Sequence, residues 1–143
     1  RILATNNAEN QVTIASAGAI PPLVELVRSD SAEGKAKAAA ALGNLAANAE
    51  NRVTIASAGA IPPLVELVRS DSAEGKAKAA AALGNLAADA ENQVTIASAG
   101  AIPPLVELVH SGSAEGKANA ATALSNLAAN NAENQATIAS AGV

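Results

Sequence analysis

With 143 residues the chain has the length of one ordinary domain, and half of its residues are apolar although Phe, Tyr, Trp, Met and Cys are all absent. A net charge of −4 argues against a general nucleic-acid binder, which needs a basic face, and the lack of cysteine excludes disulfides and fits an intracellular, cytoplasmic protein. Every apolar run is broken by charge, Pro or Asn well short of the ~18 residues a membrane-spanning helix needs, so no membrane partner is expected.

Repetition sets the elements. Ile20-Pro21-Pro22 returns as Ile61-Pro62-Pro63 and as Ile102-Pro103-Pro104, a period of 41 residues. In chain order, 1–7 reads as the end of a preceding repeat, because Leu3-Ala4-Thr5-Asn6-Asn7 is close to Leu127-Ala128-Ala129-Asn130-Asn131. Full repeats follow at 8–48, 49–89 and 90–130, and 131–143 is the first helix of a further one. The first two units differ only at Gln11/Arg52 and Asn48/Asp89, which suits recent duplication or design. The third departs at His110, Gly112, Asn119, Thr122 and Ser125.

Each unit predicts three helices. The first runs from about Ala8 to Ala17, with Asn7, Asn48, Asp89 and Asn131 as N-caps and Gly18 as its stop. The second runs from about Pro21 to Ser29, since proline is tolerated in a first turn, and Ile20, Leu23, Val24 and Val27 form its apolar stripe. Glu25 and Arg28 are placed to pair on its exposed side. Asp30 or Ser31 caps the third helix, with Glu33 three residues after Asp30. Helices this short cannot enclose a core alone, so neighbouring repeats must complete one another.

The third helix carries the functional pattern. At roughly 100° per residue, Ala38, Leu42, Leu45 and Ala46 fall on one side, and Glu33, Lys37, Ala40 and Asn44 on the other. Repetition turns the second stripe into the lining of a groove, so the job is binding. Asn44, Asn85 and Asn126 are the sharpest candidates, because a carboxamide offers both a donor and an acceptor to an extended peptide backbone. The alternative is that they tie neighbouring repeats together. Lys37 and Lys78 share this face and give way to Asn119, while Glu33, Glu74 and Glu115 stand one turn earlier and can neutralise lysine by i, i+4 pairing.

Ala-Gly-Ala-Ile-Pro-Pro-Leu-Val-Glu-Leu-Val and Ala-Leu-Gly-Asn-Leu-Ala, recurring in register over essentially the whole chain, resemble the armadillo repeat. The arrays of plant and protist proteins, including those attached to U-box ubiquitin ligases, are similar, as are consensus-designed armadillo proteins. The resemblance implies an all-α, right-handed α-solenoid without cofactors, and a non-catalytic scaffold for an extended peptide or protein segment. It also implies that Asn44, Asn85 and Asn126 form a ladder along the concave groove. Importin-type relatives have tryptophan where this chain has Ala40, Ala81 and Thr122, which argues against nuclear-localisation-signal binding. Ile2 stands where the preceding ladder asparagine belongs.

His110 is the sole histidine, so it supports neither a metal cluster nor a triad, and no phosphate loop or metal-ligand spacing appears. Gly43 and Gly84, mid-helix at a cost of about 1 kcal/mol each, point to close backbone packing, with Ser125 as the small substitute. Neither end carries a polar cap, which allows a second function class: a structural module whose ends stack head to tail into a homo-oligomer.

Overall fold

A computed structural model describes residues 18–142, and within it every element is helical. The second helices of the three repeats are α1 (Ile20–Val27), α4 (Ile61–Val68) and α7 (Ile102–Ser111). The third helices are α2 (Ala32–Leu45), α5 (Ala73–Leu86) and α8 (Ala114–Ala128). The first helices are α3 (Ala49–Ser57), α6 (Ala90–Ser98) and α9 (Ala132–Ser140). The helix expected over Ala8–Ala17, the remnant 1–7 and the missing rung at Ile2 lie outside the described residues.

Local chemistry fixes the boundaries. The second helices start with proline in the first turn, where amides have no intrahelical acceptor. α1 stops at Val27, short of the expected Ser29, because Ser29 Oγ folds back to donate to Leu26 O at 2.7 Å. Ser31, Ser72 and Ser113 cap the third helices by accepting from Gly34, Gly75 and Gly116 N–H at 3.0, 2.9 and 3.0 Å. Of the two caps considered, serine holds the position and Asp30 stands outside it. Asn48 and Asn131 cap the first helices as expected, accepting from Glu50 and Asn134 N–H. Asp89 does not: its carboxylate makes no cap bond and takes a guanidinium instead. Gly59 and Gly100 close α3 and α6 at φ 81° and 85°, a region open to glycine at no steric cost.

The core lies between layers. Ile61, Leu64, Leu83, Leu86 and Ile96 are fully or almost fully buried, and their equivalents recur in the neighbouring units. The third helices stack α2 on α5 on α8, while each second helix packs on the third helix of its own unit. Glycine sets how closely they approach. A Cβ added to Gly43 would stand 3.4 Å from Ala82 Cα, and one added to Gly84 would stand 3.3 Å from Ala123 Cα. Ser125, at the same register in α8, faces open solvent because no further third helix follows it among the described residues. No single helix among the described residues is long and apolar enough to cross a membrane.

Candidate functional site

The stacked third helices bring the predicted side chains into rows. Asn44, Asn85 and Asn126 recur on α2, α5 and α8, half-buried, exposed and half-buried respectively. One turn earlier stand Ala40, Ala81 and Thr122, the alanines half-buried and the threonine exposed. Two turns before the asparagines stand Lys37 (exposed), Lys78 and Asn119 (both half-buried). Along each third helix the order is therefore carboxamide, small residue, then lysine or a second carboxamide.

The asparagines are already engaged. Asn85 Nδ2 donates to Gly43 O at 2.8 Å, and Asn126 Nδ2 donates to Gly84 O at 2.9 Å, each reaching back to the preceding third helix. Asn119 does the same towards Ala77 O at 3.0 Å. The tie between repeats, one of the two roles open to these residues, is thus present at two of the three rungs and at Asn119. The equivalent partner of Asn44 would fall outside the described residues. A primary amide has a second hydrogen and a carbonyl oxygen with two lone pairs. Among the described residues nothing donates to Oδ1 of Asn85 or Asn126, so each amide is oriented by its neighbour and keeps its acceptor.

Charge on this face is largely self-compensated. Lys37 pairs with Glu33 within its own helix at 3.2 Å, as the i, i+4 spacing predicts. Lys78 departs from that expectation: it bonds Glu115 of the next repeat at 2.9 Å, reaching across to the neighbouring third helix. The Lys37–Glu33 pair is about three-quarters exposed on both sides, so it adds little to stability. Three glutamates against two lysines leave the face close to neutral.

Sequence reasoning missed a set of buried ties at the ends of the first and third helices. Asn51, Asn92 and Asn134 are buried, and their Nδ2 groups donate to Leu45, Leu86 and Leu127 O at 3.0, 2.9 and 2.9 Å. They close end carbonyls of the preceding third helix, which have no partner within that helix. Their recurrence every 41 or 42 residues was the available signal. Arg28 and Arg69 donate to Gly59 and Gly100 O at 3.3 and 3.1 Å, and His110 Nε2 lies 3.3 Å from Gly142 O. His110 therefore takes over a structural arginine contact. No group of three or more His, Asp or Glu side chains suited to a metal occurs among the described residues. A cleft of about 760 Å³ opens between α1 and α4, lined by Val27, Arg28, Lys35, Pro62, Leu67 and Arg69, away from the asparagine rows.

The family model for the Armadillo/beta-catenin-like repeat matches residues 7–47, 48–88 and 89–129, one residue ahead of the frame used above. No curated protein matches the sequence. Among solved structures, an engineered protein shares 35% identity at a TM-score of 0.92, over 98% of this chain and 59% of its own. A designed armadillo repeat protein in complex with the peptide (KR)4 shares 33% identity at a TM-score of 0.90, over 98% and 59%. Computationally designed armadillo repeat proteins for modular peptide recognition share 38% at 0.90, over 98% and 60%. The chain thus spans about three-fifths of the length of these structures.

Proposed function

Because the chain belongs to the armadillo/beta-catenin-like repeat family, we infer that it is a non-catalytic scaffold that recognises an extended peptide or protein segment along the α2–α5–α8 face. The observation that carries this reading is the row of carboxamides, Asn85 and Asn126 each held by the preceding repeat with an acceptor left over. An extended strand rises ~3.3 Å per residue, and packed helices stand ~8–10 Å apart. Each rung then serves two to three ligand residues, bonding backbone rather than side chains. Lys37, Lys78 and Asn119 flank the ligand on one side, and Ala40, Ala81 and Thr122 form the floor between. With no aromatic side chain to sandwich a basic stem, this face lacks a feature suited to a basic peptide such as the (KR)4 ligand of the designed relative.

The test is a peptide array of extended decamers, followed by calorimetry on the best binder. Replacing Asn44, Asn85 and Asn126 together by Ala should weaken it by about 0.5–1.5 kcal/mol per lost hydrogen bond. Helical circular dichroism must persist, and unchanged affinity in a folded triple variant would count against the ladder.

One observation favours a second reading, head-to-tail stacking of copies. Ala118, Ala121 and Ser125 on α8 are exposed, whereas their equivalents Ala77, Ala80 and Gly84 are buried by the next repeat. A second copy's second and third helices would cover that surface. Sedimentation velocity decides it: a sedimentation coefficient that stays constant up to high concentration rules stacking out.

A further inference from the structure

The two positions at which the first two repeats differ, Gln11/Arg52 and Asn48/Asp89, meet across a repeat junction. Arg52, on α3, donates from Nε to Asp89 Oδ1 at 3.1 Å, and Asp89 is the N-cap residue of α6 in the following repeat. The two side chains retain 16% and 32% of their accessible surface, so the pair is well shielded from water. At the next junction the same two positions are Gln93 and Asn131. There Asn131 Nδ2 donates to Gln93 Oε1 at 3.4 Å, and Gln93 Nε2 donates to Asn126 and Ala129 O at 2.7 and 3.0 Å. By sequence the corresponding two positions one repeat earlier are Gln11, which lies outside the described residues, and Asn48.

We propose that these two positions form a junction code that selects which repeat docks on which: Arg with Asp, and Gln with Asn. The need for one follows from the sequence. Units 8–48 and 49–89 are otherwise identical, so every apolar contact in one junction is available in the wrong one. Repeat proteins fail characteristically by such misassembly, with a repeat of one copy taking the place of its equivalent in another. A slip of one repeat sets Arg52 against Asn48 or Asn131, and Asp89 against Gln11 or Gln93. Each wrong pairing leaves a shielded charge without its counter-ion, which costs more than the matched pair contributes. Arg52 also donates from its guanidinium to Ala46 O at 3.1 Å, so its geometry is fixed before the next repeat arrives. Asp89 has given up the helix-capping bond that Asn48 and Asn131 make, and the ion pair is what its carboxylate makes instead.

Four proteins test this: the parent, Arg52→Gln, Asp89→Asn, and the double variant carrying both. Arg52→Gln should lower the thermal midpoint by about 3–5 °C, because Asp89 is left without its counter-ion. The double variant should return to the parental midpoint or above, since a Gln–Asn pair and a cap bond replace the ion pair. The second measurement is the dimer fraction after refolding from denaturant at high protein concentration, read by light scattering on a sizing column. The double variant, with its first two units now identical, should give at least about twofold more exchanged dimer than the parent, despite equal stability. Strictly additive midpoints would overturn the pairing. A double variant that refolds to the parental monomer yield would overturn the selection of partners, even if the midpoints couple.

Discussion

Two asparagine rows with the same side chain do different work, and burial separates them. Asn92 retains 6% of its surface and satisfies Leu86 O, whereas Asn85 is exposed and bonds Gly43 O. Asn92→Ala removes the shorter of two bonds to Leu86 O, leaving only Asp89 N–H at 3.3 Å, and empties a buried site, so it should cost about 1–3 kcal/mol in urea unfolding, while Asn85→Ala should cost no more than about 0.5–1.5 kcal/mol. The caps offer a second contrast: Ser72→Ala should cost about 1 kcal/mol, and Asp71→Ala, beside the cap but not in it, about 0.5 kcal/mol or less. At this scale the sequence was legible wherever the helical period alone decides which way a residue faces, as for Asn44 and Leu42. It was not legible where two adjacent residues could cap, as with Asp30 and Ser31, because backbone geometry chooses between them. Nor could it show that Lys78 prefers Glu115 over Glu74, since that depends on a neighbour 37 residues away.

At the scale of helices, small residues are what let the repeats stack. Gly84 approaches Ala123 so closely that a Cβ would stand 3.3 Å from its Cα, whereas Ser125 at the same register meets no following third helix. Gly84→Val should therefore destabilise by about 1–3 kcal/mol through overpacking, and Ser125→Val should stay within about 0.5 kcal/mol. Denaturant titration of both variants checks the pair. The mid-helix glycines made this contact legible in the sequence, because nothing else explains glycine where alanine forms a better helix. The length of α7 was not legible. It runs to Ser111, two residues past the end of α1 at Val27, and Gly112 stands where the other units have Asp30 and Asp71.

Across the whole molecule, stability follows the number of neighbours each unit has. α5 is packed by α2 and α8 on either side, while α9 buries only Asn134. Amides of α9 should exchange at least about tenfold faster than those of α5, and equal protection along the array would contradict the nearest-neighbour picture. The solenoid and its period were legible from repetition alone, and a tie between repeats was one of the two roles read for Asn85 and Asn126; the ties made by Arg28, Arg69 and Gln93 were not, because they join residues 31–36 positions apart whose meeting depends on the stacking distance. Leu26 illustrates the point: it is 39% exposed, although Leu67 and Leu108 at the same register are 3% and 4% exposed. Ala81, on the proposed ligand face, has one more consequence. The chain contains no tryptophan or tyrosine, so it is almost transparent near 280 nm and has no intrinsic fluorescence. A single Ala81→Trp substitution at that half-buried site would put a lone emitter beneath the proposed ligand path, against a dark background. Its emission should shift to the blue when a peptide excludes water from the indole, turning the face that lacks an aromatic residue into its own optical reporter.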